Sequence, residues 1–306
     1  MDIFLNIAKI TLEEACMYAV LAMGVYITYS ILDFPDLSVD GTMPLGAIVT
    51  GVLIINGVNP WLCLILAFIC GAFMGCVTSY LHVNLNIRPL LCGILVYTAL
   101  LSINLVILFK FNDGSSVASF FNSPTIFNTG FSKFIPEQIG GMYVRTLIVS
   151  VILMLLCKIL LDMYLKTKSG LLLRATGSNE NFVTMLNQNN GNSKMIGLAL
   201  GNGFAALSGC IIAQAKGSAD QQMGVGMVVL ALASVIIGLS AFKKLKLKKT
   251  TMVIGGSIIY KACLSFALMV GLKSEYLKLL MSVLFVVALV ISEKGTKAVP
   301  KRGHHA

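Results

Sequence analysis

Long, uninterrupted apolar stretches constrain this fold more than any other feature of the sequence. Nine such stretches cover residues 12–32, 43–57, 60–81, 89–110, 142–166, 194–216, 223–242, 250–270 and 276–292. A helix needs about 20 apolar residues to cross a bilayer, and continuous runs differ from the alternating pattern of a membrane β-barrel. The sequence therefore predicts an all-α, polytopic membrane helical bundle with about nine transmembrane segments.

Composition leaves little room for a soluble domain. Only 12% of the 306 residues are charged, against about 25% in soluble proteins. We therefore expect one transmembrane domain over residues 1–306. The net charge of +10 arises from cations in short loops, which favours a membrane protein over a nucleic-acid binder. The eight cysteines form no Cys-x-x-Cys pair and there are only three histidines, so we expect no metal site.

Clustered cations predict how the chain is oriented in the membrane. They lie at residues 82–88, 166–194, 243–249 and 294–302, in loops that alternate correctly with the spans. Cytoplasmic loops are rich in Lys and Arg. Nine spans then place the amino terminus outside, the carboxyl terminus inside, and loop 111–141 outside, over the outer mouth. The lysines near 243–249 are interpreted as an orientation signal that contacts lipid headgroups, with contact to a partner protein as the alternative.

The second apolar stretch is short and follows an acidic segment. Asp33, Pro35, Asp36 and Asp40 precede it without any cation. We expect this segment to be buried in the bundle, where an irregular backbone can line a polar cavity, so that residues 33–57 form a broken helix. The alternative is a re-entrant segment with the amino terminus inside.

This acidic segment belongs to an internal repeat. Residues 38–49 and 218–229 share Ser, Asp, Met, Gly and Val in register. The nine-span topology makes the two copies antiparallel, which indicates an inverted repeat that pairs residues near 1–110 with roughly 190–292. Such repeats with helix-breaking residues form substrate paths in many transporters. A carboxylate at Asp40 or Asp220 suits a substrate ammonium, and free amides after Gly41 suit a carboxylate.

Polar residues at membrane depth are the candidates for the substrate path. A charged residue there costs about 2.5–3.5 kcal/mol on insertion scales and is a functional hypothesis by default. The predicted path comprises Asp33, Asp36, Ser38, Asp40, Gly41, Tyr97, Asn104, Ser218 and Asp220. The alternatives are helix capping for the aspartates and a bond to a neighbouring helix for Asn104. Small residues between Gly201 and Gly209 are interpreted as helix-packing positions.

A polar segment separates the fifth and sixth stretches. Ser178, Asn179 and Glu180 favour the start of a helix, which we expect to run from Asn179 to about Asn187 with Phe182, Met185 and Leu186 on one apolar face. A helix lying on the membrane surface in this way can dock into a groove of a soluble partner. The alternative is a plain connecting loop.

Two motifs resemble a known family. Ser169-Gly170-Leu-Leu-Leu-Arg174-Ala-Thr-Gly177-Ser178-Asn179-Glu180 and the Gly-rich run 198–209 resemble bacterial branched-chain amino acid and ribose type ABC importer permeases. Residues 17–41 look like a subgroup associated with amino acid, notably aromatic amino acid, uptake. The resemblance covers about residues 12–292. Leu171–Leu173 and Asn187–Asn192 depart from the family pattern, which leaves the end of the coupling helix open.

The resemblance implies a cytoplasmic coupling segment at residues 167–193. Its implied ATPase-coupling residues are Arg174, Gly177, Asn179, Glu180, Phe182 and Met185. The chain has no Gly-x-x-x-x-Gly-Lys-Ser/Thr phosphate loop. It is therefore expected to be a transport subunit without its own ATPase site, and ATP and Mg²⁺ would bind to a partner.

The expected function is import of a small solute, most simply an amino acid, across the bacterial plasma membrane. The implied partners are two ATP-binding cassette subunits, a second copy of the permease, an extracytoplasmic binding protein and the lipid bilayer. Alternatives are an ion-coupled secondary transporter that uses Asp40 and Asp220, and a nucleoside or sugar ABC importer permease. An intramembrane aspartyl protease is disfavoured because neither aspartate lies in a Gly-x-Gly-Asp motif.

Overall fold

The computed structural model describes residues 2–111, 114–139, 142–179, 183, 185, 190–273 and 276–297. Most of these residues are helical. The α-helices are α1 (Asp2–Val25), α2 (Val39–Ile55), α3 (Pro60–Val83), α4 (Pro89–Phe111), α5 (Arg145–Tyr164), α6 (Lys168–Ser178), α7 (Asn190–Lys216), α8 (Met227–Ala241), α9 (Lys249–Met269) and α10 (Leu277–Lys297).

The helices confirm a polytopic all-α bundle. Within the described ranges, seven helices are long and apolar enough to cross a membrane. Two shorter apolar helices, Val39–Ile55 and Leu277–Val290, account for the remaining predicted stretches. Each of the nine apolar stretches is thus largely helical, while nine complete crossings remain a prediction.

Four short strands lie in the connections between helices. They are β1 (Val117–Ser119), β2 (Gln138–Ile139), β3 (Met142–Tyr143) and β4 (Ser218–Asp220). β1 pairs antiparallel with β4, and β2 pairs antiparallel with β3. The loop that carries β1 also packs on the bundle, because the Ile126 amide donates to Gln214 Oε1 over 2.9 Å and Trp61 Nε1 donates to the Thr129 carbonyl over 3.2 Å. The loop therefore covers one end of the bundle, as expected for residues 111–141.

Helix α7 forms the centre of the bundle, and small residues at its contacts let the neighbouring helices approach it closely. Added Cβ atoms at Gly46 of α2 and Gly75 of α3 would collide with carbonyl oxygens of α7. Gly209 of α7 likewise abuts the Met43 carbonyl of α2. Small residues let membrane helices approach closely. The interpretation of residues 201–209 as packing positions is therefore confirmed.

Both copies of the repeat lie at interruptions between helices. In the first, α1 ends in a π-helical turn (Tyr26–Ile31), followed by an irregular segment and then by α2, which starts at Val39. In the second, α7 is followed by Gly217 in a left-handed conformation (φ 68°), β4, a 3₁₀ turn (Gln221–Gly224) and α8. The broken helix near 33–57 is thus present, although α2 begins four residues before the expected apolar stretch.

Candidate translocation site

Asp40 joins the two interruptions. Its Oδ1 accepts the Val228 amide over 2.7 Å, and its Oδ2 accepts the Gly226 amide over 3.3 Å. Asp40 lies in the first turn of α2, whereas Gly226 and Val228 form the start of α8. A carboxylate from one half of the repeat therefore caps a helix of the other half. We call this contact the Asp40 clamp.

The start of α8 needs an external acceptor. The first amides of a helix have no partner within it, and the N-cap residue of α8 is Gly226, which has no side chain to offer. Gly226 adopts a left-handed backbone (φ 85°), a conformation that glycine tolerates without strain. The helix end also carries partial positive charge, which favours the Asp40 carboxylate. Capping and charge thus both stabilise the clamp.

Asp220, the second aspartate of the repeat, makes a local contact. Its Oδ1 accepts the Met223 amide over 3.0 Å and so caps the 3₁₀ turn that follows it. Ser218 lies in the same strand, opposite Ser119 of β1. Both repeated aspartates therefore act as caps, Asp220 within its own segment and Asp40 across the repeat. Their role in the path stays a prediction.

Three other candidate residues gather around the clamp. Asn104 of α4 is fully buried and donates from Nδ2 to the Gly41 carbonyl over 3.1 Å. The Tyr97 ring lies against Gly41. Pro44 lacks the N–H that would bond the Asp40 carbonyl one helical turn earlier. Gly224 of the second break packs directly on that carbonyl. The bond that Asn104 makes to a neighbouring helix is thus observed, at the level of the clamp.

Asp36 and Ser38 belong to a separate buried network. Asp36 Oδ1 accepts the Ser38 amide over 2.9 Å and the Ser38 hydroxyl over 2.6 Å, while Oδ2 accepts Asn202 Nδ2 over 2.7 Å. The Thr42 hydroxyl donates to Asn202 Oδ1 over 2.6 Å. Only 5% of Asp36 is exposed. The network fixes the first break to α7, which agrees with the capping alternative for Asp36.

Asn202 is the functional candidate that the sequence patterns missed. It is fully buried in α7, and its amide binds Asp36 of the first break through Nδ2 and Thr42 of the first turn of α2 through Oδ1. An amide in an apolar membrane helix needs a partner, and this was the signal in the sequence. Asp33, in contrast, is exposed, has a left-handed backbone (φ 54°), and lines a cavity with Thr176 and Lys194. It therefore faces the coupling region.

The coupling segment contains an additional helix. The expected helix starts at Asn179, but Lys168–Ser178 already form α6, and Asn179 is its C-cap. Thr167 caps α6 by accepting the Gly170 amide over 3.2 Å. A helix over this polar stretch was not predicted, because its first residues show no strong apolar periodicity.

Helix α6 contacts the first break directly. Gly177 packs on the Ile31 carbonyl, where a Cβ atom would collide. Arg174 is exposed. Beyond α6, the Val183 amide donates to the Asn179 carbonyl over 3.4 Å, and Met185 is helical and 84% exposed. The expected residues Glu180, Phe182 and Leu186 lie outside the described residues.

Comparisons with known proteins identify the family. A family model described as the permease component of branched-chain amino acid transport systems matches residues 7–289. The chain belongs to this permease family. It is a multi-pass plasma-membrane protein and a transport subunit of the ABC importer type, a class that works with ATPase and binding-protein partners.

Individual relatives cover most of the chain. A tyrosine transport system permease protein of Clostridioides difficile (strain R20291) is 38% identical over 298 residues, covering 95% of both chains. An uncharacterized protein of Rickettsia prowazekii (strain Madrid E) is 31% identical and covers 93% of this chain and 97% of its own length. The fructose import permease protein of Bifidobacterium longum (strain NCC 2705) is 26% identical, with 74% of this chain and 61% of its own length covered. No solved structure matches the chain.

Proposed function

We propose that this permease imports an aromatic amino acid, with tyrosine as the leading substrate. It would act as a homodimer with two cytoplasmic ATP-binding cassette subunits and an extracytoplasmic binding protein. The substrate assignment is supported by the 38% identity to a tyrosine permease over 95% of both chains. The fructose permease is more distant and is covered over only 61% of its length.

The Asp40 clamp is the observation that supports the transport mechanism. It ties the two interrupted helices of the predicted inverted repeat together at their broken ends. Interrupted helices provide amide ends and free carbonyls in the interior of transporters. We infer that the two breaks separate during the transport cycle, so that the clamp acts as a gate.

The chemistry of the opened clamp would suit an amino acid. Release of the Gly226 and Val228 amides from Asp40 leaves a carboxylate beside a helix end with partial positive charge. A substrate ammonium can then meet the carboxylate, and a substrate carboxylate can meet the amides. This pairing of opposite poles is available to a zwitterion and not to a neutral sugar.

A continuous set of contacts links the coupling segment to the clamp. Gly177 of α6 packs on Ile31 at the end of the π-helical turn. The following segment is held to α7 by Asp36 and Asn202 and leads into α2, which carries Asp40. Movement of α6 with an ATPase partner would therefore displace the first break and, through it, the clamp. ATP and Mg²⁺ would bind to that partner.

Reconstituted transport tests the proposal. The permease, its ATPase and its binding protein are placed in proteoliposomes, and uptake of labelled tyrosine is measured with and without ATP. We expect ATP-dependent uptake in which phenylalanine and tryptophan compete better than leucine or fructose. Uptake by the permease alone, driven by a sodium or proton gradient, would support a secondary transporter, and competition by fructose alone would support a sugar permease.

A further inference from the structure

A polar cavity of about 570 Å³ opens where the ends of α5 and α6 meet the start of α9. The π-helical turn that follows α1 also lines this cavity. The charged residues that line it are Asp162, Lys166, Arg174, Lys248 and Lys249. We call it the basic cavity.

The basic cavity has an excess of positive charge, because its single carboxylate is already occupied. Asp162 accepts Lys248 Nζ over 3.0 Å and the Thr250 hydroxyl over 2.7 Å, and Lys158 Nζ lies 3.8 Å away. Within the part of the chain that the structure describes, Lys166, Arg174 and Lys249 make no ion pair. Among the described residues, these three cations therefore line the cavity without a paired carboxylate.

The start of α9 adds to this positive field. Its N-cap residue, Lys248, provides no side-chain cap, and its first turn contains no acidic residue. The amides of a helix start carry partial positive charge and bind anions. Lys249 and Thr250 in that first turn both line the cavity. Side chains and backbone thus favour the same kind of ligand.

We propose that the basic cavity binds the phosphate group of an anion. An amino acid is disfavoured here, because its ammonium would have only Asp162 as a partner and Asp162 already has three. The positively charged loops place the cavity on the cytoplasmic side. The phosphate can come from the headgroup of an anionic phospholipid in that leaflet or from a soluble phosphate compound.

Binding at this site would affect the coupling segment. Arg174 and Gly177 of α6 share the cavity with Ile31 of the π-helical turn and Lys249 of α9. A phosphate held between Arg174 and Lys249 would therefore tie α6 to α9. This effect on transport rests on the proposed function, whereas binding itself does not.

Binding is measured on the purified permease alone, so that failure of the import proposal does not affect the result. The test variant is Lys166→Gln with Lys249→Gln, which keeps the Lys248–Asp162 ion pair. The matched control is Lys243→Gln with Lys246→Gln, because both lysines are exposed in the loop that leads to Lys249 but do not line the cavity. Native mass spectrometry reports retention of phosphatidylglycerol, phosphatidylcholine or inorganic phosphate.

We expect wild type and control to retain phosphatidylglycerol but not phosphatidylcholine. The test variant should bind phosphatidylglycerol roughly 30-fold more weakly, because each of the two cations removed contributes about fivefold to binding. Retention of inorganic phosphate by wild type, lost in the test variant, would identify a soluble ligand at the same site. Equal losses in the test and control variants, unchanged binding in both, or displacement of the anion by tyrosine would each overturn the proposal.

Discussion

Replacing Asp40 with asparagine removes one of the two oxygens that hold the start of α8. Both carboxylate oxygens accept an amide, Oδ1 from Val228 and Oδ2 from Gly226. Asparagine has the same size but only one acceptor oxygen. Its NH₂ group would face one of the two N–H donors, so that one amide loses its partner and the helix end loses a charge.

The structure sets the size of this effect. An unpaired buried donor costs about 1–3 kcal/mol, and loss of a carboxylate at a helix start costs about 0.3–2 kcal/mol. The sum, about 1.3–5 kcal/mol, weakens the clamp by about tenfold or more, since 1.4 kcal/mol corresponds to a factor of ten. We therefore expect Asp40→Asn to lower the melting temperature and to reduce tyrosine uptake by at least about tenfold, with normal membrane insertion.

Asp220→Asn is the matched control. Asp220 accepts a single amide, from Met223, and asparagine caps a helix about as well as aspartate. Uptake in proteoliposomes and thermal unfolding are measured for both variants. The reasoning is refuted if the two substitutions have equal effects, or if Asp40→Asn transports at the wild-type rate.

Four further expectations concern packing, the buried network, coupling and topology. Gly209→Ala should lower the stability by about 1–3 kcal/mol, measured by thermal unfolding, because the added methyl group meets the Met43 carbonyl. The control Val106→Ala, at a 61% exposed position, should leave the stability nearly unchanged. Asn202→Leu should cost a similar amount, because Asp36 Oδ2 loses the donor that Asn202 provides and the Thr42 hydroxyl loses its Asn202 acceptor. A smaller loss in Asn202→Leu with Asp36→Asn, which keeps an acceptor for Ser38 but removes the charge, would confirm that cause. Met185→Ala should weaken co-purification of the ATPase subunit without lowering stability, whereas Met163→Ala, also on an exposed position, should not. Single cysteines at Ser116, Asn179, Lys246 and Lys297 in a cysteine-free background should react with an impermeant reagent from outside only at Ser116; outside labelling at Lys246 would contradict the orientation.

The sequence predicts the helices well because apolar runs of about 20 residues have few alternatives in a membrane. It also locates both interruptions, because Pro35 and the aspartates are poor residues for a continuous apolar helix. The π-helical turn at Tyr26–Ile31 was not predictable, since its sequence contains no proline or glycine that would mark an interruption. Its position depends on packing against other helices.

The candidate site is predicted in part. The two repeated aspartates, Tyr97 and Asn104 are predicted from their polarity at membrane depth, and Gly41 from its place next to Asp40 in the repeat. The partners do not follow, because Asp40 meets Val228 and Asp36 meets Asn202 through contacts between residues more than 160 positions apart. Sequence periodicity carries no information on such long-range pairs. It likewise cannot show that Asp36 is satisfied within its own network while Asp40 spans the repeat.

Movement of the two breaks is the central claim, and a distance measurement tests it most directly. Nitroxide labels on Pro35→Cys and Val225→Cys, at exposed positions in the first and second interruption, report the separation by pulsed electron paramagnetic resonance in the assembled transporter. A pair on Ile152→Cys and Met163→Cys within α5 serves as the rigid control. We predict that trapping the ATPase after ATP hydrolysis changes the first distance and leaves the second unchanged. An identical first distance in the resting and trapped states of a transport-active complex would contradict the account.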